Sequence, residues 1–308
     1  MTEMNQAKDE MTVQEKSSSP RSDTPEPWES ASENEKISLN LVPDDELLDS
    51  LHNSAEVQHV VREGILLATG AAAILLQVAM PGVGKGVDNH SSFAYRPLHR
   101  LRTTLTFVYC MAFGTRAEKK AVITMVNRAH SEVKGPGYSA DDPELQRWVA
   151  ATLYASGVWM YEEVYGKMDP KKSDNIYQEF SVLAVSLRVP RDMWPKDRKA
   201  FWKYWDASVA KLEITPHAQN IANDLLHNKS MIFPLRMALP FIRVLTAQML
   251  PERVREGYGL KNSRTRRGFY KSVILGLRAT YPVTPRFIRT IPMKVYMADM
   301  RRRLRNMA

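Results

Sequence analysis

Three stretches between residues 81 and 148 hold the side chains with the greatest chemical reach. PGVGKGVDNHSSF carries His90, HRLRTTLTFVYCMAFGT carries Arg100 and Thr104, and VNRAHSEVKGPGYSADDPELQRWV carries Arg128 and His130. His130 follows Ala121, Val122, Met125 and Val126 on one helical face, so it is expected to point inward. An inward imidazole against an apolar pocket can ligate haem iron through a ring nitrogen, or stand as a hydrogen-bonded core histidine. Arg128 is placed to meet propionates or a hydrogen-bonding partner. Arg100 and Thr104 are four positions apart and share one helix face. A cation and a hydroxyl so spaced can orient dioxygen, stabilise developing negative charge or anchor a propionate. Arg96 and Arg102 lie close by, so an exposed basic face competes with that role. His90 reads as part of a short polar loop, where Asn89 and Ser91-Ser92 can orient it or cap the next helix. The set suits a haem-type site better than a hydrolase triad.

The elements that must position these residues read as helices. Leu98, Leu101, Leu105 and Val108 recur at helical spacing and mark one face of a helix that carries Arg100 and Thr104. The helix reaching His130 ends at Lys134-Gly135-Pro136-Gly137, and Asp141-Asp142-Pro143 starts a long one through Trp148, Leu153, Trp159 and Tyr161. Further helices are expected over 170–187, 195–212, 216–228, 235–248, 263–279 and 285–305. No run alternates cleanly between turn pairs, so strands are almost absent and the class is all-α. The stretch 64–83, GILLATGAAAILLQVAMPGV, is the one membrane-span candidate. Gln77 and Pro81-Gly82 interrupt it, and a buried core helix is expected instead. The apolar run 232–250 is broken by Pro234, Arg236, Pro240 and Arg243.

Composition bounds the rest. Of 308 residues, 44% are apolar, enough for a sizeable core. Residues 1–50 hold 13 acidic and 4 basic side chains, whereas residues 251–308 hold 15 basic and 3 acidic ones. The first 40 residues are rich in Ser, Glu, Asp and Pro, cannot bury enough apolar area to offset chain entropy, and are expected to be a disordered acidic tail. A single helical domain is expected over 41–308, with a basic helical extension from 261. The acidic start is neither a secretory signal nor a presequence. The one cysteine, Cys110, lies in an apolar run, which excludes an internal disulfide or a Cys-based zinc site and makes it a small buried hydrophobe. The chain is therefore expected to be intracellular, cytoplasmic or peripheral on a membrane. Its basic end, with LKNSRTRRGFYK and MRRRLRN, suits contact with an acidic membrane or a solvated surface. Aromatics interleave it only sparsely, which disfavours nucleic acid.

Other chemistries find no complete motif. Glu56-x-x-His59 has di-iron spacing but no second copy. Gly82-x-Gly84-Lys85-Gly86 lacks the spacing, hydroxyl and preceding strand of a phosphate loop. The Trp194, Trp202 and Trp205 group is read as packing.

LLQVAMPGVGKGVDNHS, RPLHRLRTT with the following FG, the helix reaching RAHSEVKG, and YSADDPELQRWVAATL together resemble the family of ER-bound mpaB-type oxygenases and rubber oxygenases (latex-clearing proteins). FWKYWDA and LPERVREGYGL are weaker echoes, and the likeness spans roughly 57–260. The resemblance implies a globin-like helical core holding haem b and O2-dependent oxidation or oxidative C=C cleavage of a hydrophobic, isoprenoid-like molecule. Carried over, His130 is the proximal iron ligand, Arg100 and Thr104 are the distal-side pair, and His90 matches a recurrent position. The chain departs from the rubber oxygenase in having Thr103 where a distal Lys stands, and Asp88 is only a loose counterpart of its acidic residue. A haem protein that senses or stores without turnover, and a cofactor-free helical protein docking on acidic membranes, are the competing readings.

Overall fold

Side-chain caps define most of the helix starts. Thr115, Asp142, Asp169, Asp197, Thr215 and Ser263 each accept a hydrogen bond from a backbone N–H in the first turn that follows. Pro143, Pro170 and Pro216 occupy the first helical position, where a missing N–H costs nothing. At Thr115 the cap is reciprocal, since the Glu118 carboxylate accepts from the Thr115 backbone N–H.

The computed structural model describes residues 41–52, 55–90, 97–227 and 233–306, with the backbone alone over 97–100 and 233–235. The expected acidic tail over 1–40 lies outside the described residues. The chain runs through α1 (Asp45–Ser50), α2 (Ala55–Val61), a 3-10 segment (Gly64–Thr69), α3 (Gly70–Val78), α4 (Pro81–His90), α5 (Pro97–Phe113) and α6 (Arg116–Ser131). A two-residue antiparallel ladder follows, β1 (Lys134–Gly135) with β2 (Tyr138–Ser139), pairing Lys134 with Ser139 and Gly135 with Tyr138. Then come α7 (Pro143–Tyr165), α8 (Pro170–Phe180), α9 (Val182–Val185), α10 (Arg198–Ala210), α11 (Pro216–Leu226) and α12 (Phe233–Met249). The last elements are α13 (Glu252–Gly257), α14 (Arg264–Thr280), α15 (Arg286–Arg289) and α16 (Ile291–Arg305). The fold is all-α.

The stretch read as a core helix forms the centre. α3 packs against α4, α7, α11 and α12, with Ala71 to Ala73 and Leu75 to Val78 buried. Its Gln77 is satisfied by Thr152 Oγ1 at 3.0 Å, and its carbonyls at Leu75 and Leu76 accept from Tyr258 Oη and Trp148 Nε1. Within the described residues no single helix is long and apolar enough to cross a membrane; α2 with the segment to Val78 passes only as a pair bent by 65°. A second aromatic centre joins α7, α8 and α10: Phe201, fully buried, has Tyr154, Tyr177 and Trp194 ring centroids at 4.8, 5.5 and 5.9 Å. Trp194 is buried in that packing, and Trp205 stands 5.2 Å from Trp148, whereas Trp202 is exposed at its edge. Cys110 is fully buried, as a small hydrophobe should be.

Two local expectations change. His90 closes a helix, not a loop, because the glycines of GVGKG serve close packing. A Cβ at Gly84 would lie 2.4 Å from the Val78 carbonyl oxygen, and one at Gly86 would lie 3.3 Å from the Tyr138 ring. The buried face of α6 is also rotated: Lys119, Val122, Ile123 and Asn127 are its core residues, with Met125 and Val126 only half-buried. Lys119 is drawn in because its ammonium donates to the Leu51 carbonyl at 2.5 Å. His130 thus lies at the edge of the buried face.

Candidate functional site

The α5–α6 hairpin sets the register of the site. Gly114 and Thr115 alone join the two helices, and a Cβ at Gly114 would lie 2.6 Å from the Cys110 carbonyl oxygen, so the turn is tight. With equal rise on both arms, position 130 on α6 lies level with about position 99 on α5, beside Arg100 and a little over one turn beyond Thr104. The hairpin therefore brings the α5 and α6 candidates to one end. The Arg100 side chain, like that of Arg96, lies outside the described residues. Thr104 is half-buried and Thr103 exposed.

His130 ends α6 half-buried, with Gln146 Nε2 3.5 Å from its Nδ1. Gln146 is itself buried and fixed by donating to the Ala140 carbonyl at 2.8 Å, so it meets the imidazole from a rigid position on α7. Arg128 is exposed in the last turn of α6, where a cation suits the negative end of the helix dipole. The structure brings His130 and Gln146 together and leaves Arg128 facing solvent.

His90 belongs to a neighbouring polar group at the end of α4. It is exposed, with Nε2 2.9 Å from Tyr138 Oη and the two rings edge to face at 5.9 Å. Asn89 Nδ2 donates to the same Tyr138 oxygen at 3.3 Å, and the Lys85 ammonium lies 5.5 Å from the Tyr138 ring centroid. Two residues earlier in the same helix, Asp88 Oδ2 is 2.7 Å from His217 Nδ1 and accepts from Asn220 Nδ2 at 3.3 Å. Asp224 is close enough that burial, and then the like charge of Asp88, raises its pKa. Sequence reading passes over His217 and Asn220. They lie 129 and 132 positions from Asp88, and no local spacing announces the contact. The one available signal is Thr215-Pro216, which starts α11 and so fixes the face on which His217 falls.

Arg102 takes a different part from the one its neighbours suggested. It donates twice to the Asp299 carboxylate, at 2.7 and 2.6 Å, and ties α5 to α16. Arg303 Nη2 donates to the buried Thr106 hydroxyl at 3.0 Å on the same seam. Hydrogen bonding from Arg102 holds the Asp299 carboxyl below the usual aspartate range. Burial pushes the Cys110 thiol up to about 12, which leaves negligible thiolate at neutral pH. Burial, and then the Arg62 cation, lower the pKa of His59, the His of the unpaired Glu-x-x-His spacing. Among the described residues no group of three or more His, Cys, Asp or Glu side chains converges on one point.

Comparison with known proteins places the chain in a family. Residues 57–280 match the family model described as ER-bound oxygenase mpaB/B'/Rubber oxygenase, catalytic domain. The chain is 32% identical over 247 residues to the uncharacterized protein Mb2261 of Mycobacterium bovis, a match covering 77% of this chain and 96% of that protein. The uncharacterized protein Rv2237 of Mycobacterium tuberculosis matches with the same identity and coverage. No solved structure matches.

Proposed function

This chain belongs to the family of ER-bound oxygenase mpaB/B' and rubber oxygenase catalytic domains, and on that ground we propose that it is a haem b-dependent oxygenase. Its substrate is a hydrophobic, isoprenoid-like molecule oxidised with O2, at a carbon–carbon double bond where cleavage occurs. A globin-like course of the core helices belongs to the same proposal. The observation that carries it is the family match across 57–280, which takes in His130, Thr104 and the α5–α6 hairpin.

The residues present fit the group in kind. His130 offers a half-buried imidazole near a helix end; ligation through Nε2 would require the Nδ1–H tautomer, so the 3.5 Å approach of the Gln146 amide nitrogen to Nδ1 would have to give way to an acceptor. Leu101 and Leu105 on α5, with Met125 and Val126 on α6, leave apolar surface half-exposed along the same hairpin. That surface suits a flat apolar macrocycle. When bound, haem supplies the activation of O2 that amino-acid side chains do not.

The chain's own residues then have distinct tasks. His130 would present its Nε2 lone pair, with the buried Gln146 side chain packed beside the ring. Thr104 would offer a hydroxyl donor, and Arg100 a permanent cation, at the same end of the hairpin. Arg128, exposed beside His130, is available to a propionate. His90 is held by Tyr138 on the next element, as a partner at the rim.

The test is an absorption spectrum of protein purified with haem precursor supplied, oxidised, reduced and with carbon monoxide. The expected result is a Soret band that shifts on reduction and with carbon monoxide and is lost in His130→Ala. Full haem occupancy in His130→Ala would remove that ligand assignment. A folded protein that takes up no haem would remove the oxygenase reading. Oxygen uptake with a polyprenyl substrate then separates turnover from reversible storage.

A further inference from the structure

Residues 257–298 carry nine basic side chains and no acidic one. The structure divides this segment by face. Inward, Tyr270, Leu277 and Tyr281 pack against Met160, Val164 and Leu245 of α7 and α12. Arg289 also points inward, donating to buried Glu63 at 2.8 Å. Outward, the segment holds most of the exposed large apolar side chains among the described residues. Leu275 is 69% exposed, Val283 79%, Phe287 64% and Val295 57%, with Ile288 and Ile291 exposed between them.

Most of these side chains fall within a short stretch of sequence. Val283, Phe287 and Ile288 lie in the connection between α14 and α16, and Ile291 and Val295 stand one turn apart on the adjoining face of α16. Basic residues share the segment. Lys271, Arg286 and Lys294 are exposed and pair with no carboxylate among the described residues, whereas Arg278 is held by Glu163. A water-exposed apolar patch bordered by cations marks a surface that meets something else.

The charge selects the occupant. A second copy would bring the same unanswered cations against one another, with no acid in the segment to offset them. Nucleic acid uses stacking rings between its cations, and this patch is mainly aliphatic. An anionic bilayer answers both features, because acyl chains accept the apolar tips while headgroups meet the ammonium and guanidinium groups.

We propose that the α14–α16 connection docks on an anionic lipid surface, with Val283, Phe287, Ile288, Ile291 and Val295 entering the interface and Lys271, Arg286 and Lys294 meeting headgroups. This surface is independent of haem binding, so either reading can fail alone.

Co-sedimentation of the full chain with vesicles tests it, comparing phosphatidylcholine alone with a mixture containing phosphatidylserine. The chain should bind the anionic vesicles and not the neutral ones, with binding that weakens as salt rises. Arg286→Gln with Lys294→Gln should weaken binding about 25-fold, at about fivefold for each charge removed. Phe287→Ser with Val295→Ser should weaken it at least as much while leaving the circular dichroism unchanged, since both side chains are exposed. Equal binding to neutral and anionic vesicles, or wild-type binding by both double variants, would overturn the proposal. So would absence of vesicle binding accompanied by a dimer that Phe287→Ser disperses, or by retention on RNA.

Discussion

The two ends of α7 are built on different terms. Its first half meets the candidate site, where His130, Gln146, Tyr138 and His90 make long or solvent-exposed polar contacts at the rim of the core. Its second half is clamped. There Glu63, 1% exposed, accepts from Arg289 at 2.8 Å and from Tyr165 Oη at 2.9 Å, and Arg289 also reaches the Tyr165 oxygen. Between them, Tyr154 anchors the ring cluster around Phe201. The contrast teaches where this fold invests its rigidity. Ring packing and a desolvated ion pair secure the body and the C-terminal helices, while the polar groups with chemical reach remain accessible at one end.

If that division is right, the largest losses of stability belong to the clamped half. Phe201→Ala removes the centre of an aromatic cluster and should cost about 4 kcal/mol, read as a lower denaturant midpoint. Glu63→Ala should cost about 3 kcal/mol, because it strands the Arg289 guanidinium in a buried site. Adding Arg289→Met to Glu63→Ala should recover much of that loss, as replacing both partners removes the uncompensated charge. A Glu63→Ala protein as stable as wild type would show that the C-terminal helices are not held there.

How much of this could be read from the sequence follows the range of each signal. Caps and prolines act within one turn, so the starts at Asp142, Asp169 and Thr215 are legible, as is the all-α class. The burial of 70–78 is legible too, since the segment is apolar on every side but for Gln77. The α4 helix is not, because Gly84 and Gly86 answer to Val78 and Tyr138 and not to their own neighbours. Nor are the pairs that matter most electrostatically: Glu63 with Arg289 spans 226 positions and Asp88 with His217 spans 129. The candidate site is legible in its helices and its His130, and illegible in Gln146, which only the packing of α7 brings to that ring.

A smaller effect is expected at the α5–α16 seam, between the two regimes. Asp299 is mostly shielded and accepts from Arg102, Arg302 and Arg303. Its folded-state pKa is depressed, first through the Arg102 hydrogen bond. A depressed carboxyl contributes stability above its unfolded value, and that contribution is lost as pH falls through the folded one. Stability should therefore decline from about pH 4 downward. Asp299→Asn should cost about 1 kcal/mol at neutral pH and flatten that acid limb, measured by urea unfolding across the range. An unchanged acid limb would assign the decline to other carboxylates, Glu118 beside Arg301 being the next candidate.

The smallest effect on stability is expected at the histidines, and there it carries the most information. His130→Ala and His217→Ala should each shift stability by about 0.5 kcal/mol or less, since both rings are half-exposed. Removing His217 strands nothing, because Asp88 keeps Asn220 and access to water. Their effects on haem should then diverge. His130→Ala should lose the Soret band if its imidazole is the iron ligand proposed above, and His217→Ala should retain it. Loss of the band in His217→Ala, with the fold intact, would move the Asp88–His217 pair from the periphery into the cofactor site. It would also mean that the accessible end of α7 is organised around α4 and α11 as much as around the α5–α6 hairpin.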